Sequence, residues 1–278
     1  MSNKWVKHLE YKEEGYVVMA DNVREHMKKD GFLTDIPFCK ILGVNISTLS
    51  MQESINFIEK NLAILSGKYI CVANVHTTVM SFDNSNYRDI QNGSVMSLPD
   101  GAPLSTVARK RGYKNAERVT GPDLMRELFK ESERHGYKHY FYGGKPETLE
   151  LLQKKLQEKY PNIIIAGMYS PPFRELTEKE DKDIIENVNQ CKPDFIWVGL
   201  GAPKQEKWMA AHMGKVHGLM IGVGAGFEYH AGNLKRAPEW MQSCSLEWLY
   251  RLMQEPKRLV KRYLYTNLKF IWLIMRGK

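Results

Sequence analysis

The chain has 278 residues, of which 43% are hydrophobic, 26% charged and 11% aromatic, a composition that excludes a disordered chain, a collagen and a disulfide-stapled miniprotein. Its length suits one large α/β domain or two small ones, either able to bury a full core. Forty Lys and Arg against 32 Asp and Glu leave a formal charge of +8, and the excess is concentrated in Met241–Lys278, which carries eight basic residues and two acidic ones. Such a field attracts polyanions: nucleic acid, anionic lipid or a diphosphate.

In chain order, Met1–Thr34 is charged, has a weak helical pattern over Ala20–Lys29 and lacks a secretory core, so it reads as an appended arm of a cytoplasmic protein. From Ile36 onward, β-rich runs alternate with helical patterns, which predicts parallel βαβ units. Strands are expected at Cys39–Ile46, Tyr69–Ala73, Ser94–Leu98, His139–Tyr142, Ile163–Tyr169, Phe195–Val198 and Leu219–Val223. Helices are expected at Met51–Asn61, Pro122–Arg134, Pro146–Lys159, Glu178–Cys191 and Lys204–His212. Ser50 precedes the first, and Thr177 with Glu180 reads as a capping box. The fold class is therefore α/β, a Rossmann-like, mostly parallel sheet with helices on both faces, plus a basic C-terminal helical appendage. The divisions are an arm at 1–35, the α/β domain at 36–242 and the appendage at 243–278.

In such a sheet the ligand lies beyond the carboxyl ends of the strands, where glycine turns let backbone N–H groups face a phosphate. The residues there are Asn74-Val75-His76, Pro99-Asp100-Gly101, Gly143-Gly144-Lys145, Gly199 to Glu206, and Gly224 to Glu228. Gly143-Gly144 and Gly199-Leu200-Gly201 each join a strand to a helix and are placed to hold phosphate; the alternative is two tight turns that need positive φ. Neither completes GxGxxG, so no nicotinamide or Walker fingerprint is present. Asp100, stiffened between Pro99 and Pro103, could act as a general base or be an ordinary turn aspartate. Asn74 could orient a sugar hydroxyl, His76 reads more readily as structural, and Glu206 could simply complement a helix dipole.

The sole DxD, Asp181-Lys182-Asp183, falls inside a charged helix and reads as a solvated face, so no metal site is expected. HExxH, GxSxG and paired CxxC are absent, and Cys39, Cys71, Cys191 and Cys244 are scattered as packing residues. No apolar run approaches the roughly 18–20 residues of a membrane span. The tail interleaves Trp248, Tyr250, Tyr263, Tyr265, Phe270 and Trp272 with its basic residues, a pattern that suits an interfacial helix on an anionic membrane, a diphosphate clamp, nucleic acid, or a helix packed on its own domain.

Read together, VANVHT, SLPDGAPL, RVTGPDLM, YFYGGKPE, WVGLGAPKQEKWM, GVGAGFEYHAGNLKRAPEWM and LEWLYRLMQEPKRLVKRYL resemble, in that order over Ile36–Phe270, the WecG/TagA/CpsF family of bacterial glycosyltransferases. The resemblance implies inverting, metal-independent transfer from a UDP-sugar to a polyprenyl-diphosphate-linked saccharide in cell-surface polysaccharide assembly, at the inner face of the cell membrane. It needs no cofactor. It implies Asp100 as the base and Asn74, Arg251 and Arg258 as further catalytic residues. Thr120, Gly143, Gly144, Gly199, Gly201, Pro203, Gln205, Glu206, Glu228 and Arg262 are implied to bind substrate. The anionic membrane surface would be a partner through the appendage, nucleic acid would not, and a homo-oligomer is left open. Val72 departs from the family, many of whose members carry a hydroxyl residue there; Thr77 or Thr78 are the candidates to replace it. Gly226 and Glu228 stand where alanine and aspartate are common. The competing readings are a nucleotide-binding regulatory module without turnover and a basic nucleic-acid-binding protein.

Overall fold

The computed structural model describes residues 36–243 and 246–277, apart from the side chains of Ser243 and Arg258. The expectations placed on the arm at 1–35 and on Cys244 lie outside the described residues.

The described residues form eight strands: β1 (Phe38–Ile41), β2 (Val44–Ser47), β3 (Tyr69–Ala73), β4 (Ser97–Pro99), β5 (Lys138–Gly143), β6 (Ile164–Tyr169), β7 (Phe195–Gly199) and β8 (Leu219–Gly222). They form one sheet in the order β1-β2-β4-β3-β8-β7-β5-β6. Only β1 runs antiparallel to its neighbour. The single strand expected over Cys39–Ile46 is instead a hairpin. Leu42 and Gly43 both take positive φ, 49° and 87°, the backbone of a two-residue turn whose twist matches the flanking strands.

Central strands such as YICVA are buried at every position, as expected where both faces are covered. Alternate side chains feed two cores. Ile70, Val72, Phe141, Trp197 and Ile221 pack with α1 (Met51–Leu65), α5 (Gly121–His135) and α6 (Pro146–Lys159). Tyr69, Cys71, Tyr142, Val198 and Met220 pack with α3 (Ser85–Asn92), α7 (Glu178–Cys191) and α8 (Lys204–His212). The protein is thus a mixed α/β fold with helices on both faces of a mostly parallel sheet.

Local chemistry starts these helices. Ser50 and Glu53 form a reciprocal capping box on α1, and Thr177 with Glu180 does the same on α7. Of the helices up to Ala231, four have no counterpart among the expected ones: α2 (Val75–Asp83), α3, α4 (Ala102–Lys110) and α9 (Gly226–Ala231). They are short, and α2, VHTTVMSFD, is rich in β-branched residues. It forms because Asn74 caps it, accepting from Thr77 N at 3.1 Å, and because Val79 is fully buried.

After α10 (Glu239–Ser243), the C-terminal segment forms α11 (Glu247–Gln254) and α12 (Pro256–Met275). Phe270 and Leu273 of α12 join a third core with β1, β2, α2 and α4, and burying such side chains contributes about 1.5–3 kcal/mol each. Lys269 is also tied to Asp83 at 2.6 Å. On the outward side Val260, Leu264, Leu268, Ile271 and Met275 are exposed, by 40% to 75%. No described helix is long and apolar enough to cross a membrane.

Candidate active site

The chain passes from β3 to β4 on one side, then crosses to β5 on the other half of the sheet. The order therefore reverses around β3 and β8, where such a sheet opens a crevice beyond its carboxyl ends. A cavity of about 1730 Å³ lies there, roofed by α11 and α12.

Asp100 follows β4 directly. Its N–H donates to Ala73 O at 2.7 Å, which sets the turn beside the end of β3, and Gly101 takes φ 119°, a conformation other residues resist. Burial pushes the carboxyl up to about 6; Glu247 adds to the rise, while Arg251, Arg118 and Arg236 oppose it. A carboxylate poised near 6 is ionised at neutral pH yet basic enough to take a proton from a hydroxyl.

Three arginines act on it, Arg118 and Arg236 from loops and Arg251 from α11, and Arg262 of α12 borders the same cavity. Arg236 grips Asp123 through two parallel contacts of 3.1 Å, and its Nε lies 3.0 Å from Glu247. Arg118 also donates to Glu247, so one carboxylate of α11 joins a core loop to the segment before α10. The ring of Tyr229 has Arg236 and Arg251 at 5.6 and 5.7 Å. Arg251 is held loosely by Glu255 at 3.7 Å, and Arg262 has no carboxylate partner among the described residues, so of these four arginines these two are the least neutralised by protein carboxylates.

Asp100, Asn74, Arg251, Arg262, Thr120, Gly144, Gly199, Gly201, Gln205, Glu206 and Glu228 all border the cavity, whereas Gly143 and Pro203 do not. The side chain of Arg258, in the first turn of α12, lies outside the described residues. Several of these residues are committed to the protein itself. Asn74 Oδ1 caps α2. Thr120 caps α5 and donates to Asp123 at 2.6 Å, so its hydroxyl is occupied. Gly143 is required by close approach: a Cβ there would lie 2.7 Å from the backbone of Gly199. Glu228 is anchored by Asn233 at 2.7 Å and Thr148 at 3.2 Å.

Gln205 and Glu206 stand beneath the turns rather than at their surface. Gln205 Oε1 accepts from Gly201 N and Gly224 N, at 3.1 and 3.0 Å, and its Nε2 donates to Glu206 Oε1 at 2.9 Å. The Gly201 N–H is therefore occupied by a side chain instead of facing a phosphate. Glu206 is fully buried, and burial raises its carboxyl above the usual range. Its Oε1 braces Gln205 beneath the turns, and the residue also borders the cavity.

Thr77 and Thr78 do not stand in for a hydroxyl at Val72. Both are buried and both donate to Asn74 O, at 3.1 and 2.8 Å. Asp181 is likewise more than a solvated charge, for it meets His212 at 3.0 Å and borders the cavity. The carboxylate–histidine cluster Glu59, Glu131 and His135 lies on α1 and α5, outside the cavity wall. Sequence reasoning passed over Arg118, Tyr229, Arg236 and Glu247. Arg118 and Arg236 sit in segments already singled out, RVTGPDLM and GNLKRAPEWM, and an arginine in each was the available signal.

The class of enzyme that owns this strand-end cavity, with its carboxylate and clustered arginines, is given by the comparisons: a glycosyltransferase. Residues 39–278 match the model of the glycosyl transferase WecG/TagA/CpsF family. The chain belongs to that family. It is similar to the N-acetylglucosaminyldiphosphoundecaprenol N-acetyl-beta-D-mannosaminyltransferases of Staphylococcus aureus strains MW2 and NCTC 8325. Each is 28% identical over 222 residues, 79% of this chain and 85% of the relative.

Proposed function

We propose that the protein transfers a sugar, with inversion, from a UDP-sugar to a hydroxyl of a polyprenyl-diphosphate-linked saccharide during assembly of a cell-surface polysaccharide. The observation that carries this reading is Asp100, held near 6 under an arginine cluster. The carboxylate takes the proton of the acceptor hydroxyl, the freed oxygen attacks the anomeric carbon from the face opposite UDP, and the carbon–oxygen bond to UDP breaks. Negative charge then grows on the leaving diphosphate. Arg251 and Arg262, least satisfied by protein carboxylates, are the groups to meet it, an electrostatic role that strengthens as water is excluded. With cations in that role the reaction is read as independent of a divalent metal. The activity for which the staphylococcal relatives are named supports the acceptor class.

The exposed apolar stripe of α12, flanked by Lys257, Lys261 and Arg276, supports a peripheral seat on the anionic inner face of the cell membrane, where such an acceptor is found. The test is UDP release from a panel of UDP-sugars, with and without a detergent-solubilised polyprenyl-diphosphate-linked sugar, in EDTA. Acceptor-dependent release with one donor is the expected result. A strict requirement for Mn²⁺ overturns the metal-independent reading, and tight UDP binding without release under any combination overturns transfer.

A further inference from the structure

His76 is the second residue of α2 and borders the cavity where the C-terminal helix meets the end of β3. Its Nδ1 is covered by protein and has no hydrogen-bond partner. A covered N–H without an acceptor costs more than a covered lone pair, because the donor loses its bond to water outright. The ring proton of the neutral imidazole therefore sits on Nε2, the nitrogen that is not sealed off. Burial and the nearby Arg262 cation hold the ring's pKa at about 4, which keeps it neutral at physiological pH. The adjacent hydroxyls of Thr77 and Thr78 are spent on Asn74 O, whereas the His76 ring borders the cavity and remains available to a ligand.

We propose that His76 is a substrate-binding residue whose Nε2–H donates to a phosphate oxygen of a diphosphate ester held beside Arg262. An anionic oxygen is favoured over a sugar hydroxyl because two positive features converge there, the Arg262 guanidinium and the N-terminus of α2. The diphosphate belongs either to the UDP-sugar or to the lipid-linked acceptor, and this part of the inference rests on the transfer reading above. The contact itself does not.

Two measurements separate them. In ¹⁵N NMR of the full chain, inorganic pyrophosphate is expected to shift the His76 Nε2 resonance, and Arg262→Gln is expected to remove that shift. No shift at saturating pyrophosphate overturns the contact, whatever the transfer assay shows. In kinetics, His76→Ala is expected to weaken binding of one substrate about tenfold, the scale of a lost hydrogen bond to a charged group. A raised KM for the acceptor with unchanged UDP affinity assigns the contact to the acceptor, and the reverse assigns it to the donor. His76→Gln, whose amide can present a donor at the same reach, is expected to stay within about threefold of the parent. Equal loss in the Ala and Gln variants means that the ring only packs, and overturns the proposal. A pyrophosphate shift in a protein that transfers nothing sinks the transfer reading and leaves the contact standing.

Discussion

Arg118, in the loop before α5, donates to Glu247 at the start of α11, and this ion pair helps fasten the C-terminal segment over Asp100. Glu247 also faces Arg236, and both arginines meet Asp123. The network has two consequences. It holds the start of α11 beside the cavity, and it places a negative charge close enough to Asp100 to raise its carboxyl.

Glu247→Gln therefore changes both. Loss of one charge from a partly buried network is expected to lower stability by about 1–3 kcal/mol. It also removes a cause of the upward shift at Asp100, so the acid limb of the pH–rate profile moves to lower pH. Thermal unfolding and kcat/KM against pH measure the two effects, and an unmoved or raised limb rules out the coupling.

Asp100 must be ionised to act as a base, and its folded pKa is about 6. If Asp100 is the base, activity is expected to be full above that value and to fall as pH drops through it, about tenfold per unit on the acid side, in kcat/KM measured against pH. Asp100→Asn is expected to cost roughly 10²–10⁴-fold in kcat with UDP affinity kept. A variant as fast as the parent excludes Asp100 as the base.

Gln205 ties two strand-end turns together. Its replacement by Ala strands the N–H groups of Gly201 and Gly224, at a cost of about 1–3 kcal/mol and with weakened UDP binding. Glu206→Gln can still accept from Gln205 through its amide oxygen and is expected to fall within about 1 kcal/mol of the parent. Calorimetric melting and UDP titration of the two variants test the order. Greater damage from Glu206→Gln points to a need for its charge.

Burial holds His139 at about 3 and His230 at about 4. An unfolded histidine takes a proton near 6.5, so between that value and about 4 the unfolded chain binds protons that the native state refuses. Stability is thus full above about 6.5 and is lost as pH falls toward 4. Denaturant midpoints across that window check the sign, and His139→Gln should flatten the slope.

The two faces of α12 separate packing from surface attachment. Phe270→Ala, on the buried face, is expected to cost about 3–5 kcal/mol. Leu264→Glu with Leu268→Glu, on the exposed face, should leave melting nearly unchanged and cut sedimentation with anionic vesicles several-fold. Equal vesicle binding by the double variant removes the outward stripe from membrane attachment.

Long, strongly patterned elements were legible in the chain. Pro146–Lys159, Glu178–Cys191, Lys204–His212 and Tyr69–Ala73 form with the boundaries expected of them. Buried runs and capping residues are local signals, so they survive in one dimension. The Leu42-Gly43 hairpin and helix α2 were not legible, since an apolar residue at positive φ and a β-branched helix are choices made by the packing around them.

The same division holds at the site. Order of segments, a basic tail and an aspartate at a strand end were sufficient to indicate the family, because these are properties of residue type and spacing. Which groups are spent on the protein itself was decided by contacts between distant parts of the chain. Arg118 with Glu247, Gln205 between Gly201 and Gly224, and the unpartnered edge of His76 exist only once the strands converge, for hydrogen bonds and desolvation depend on distance in space and not on position in sequence.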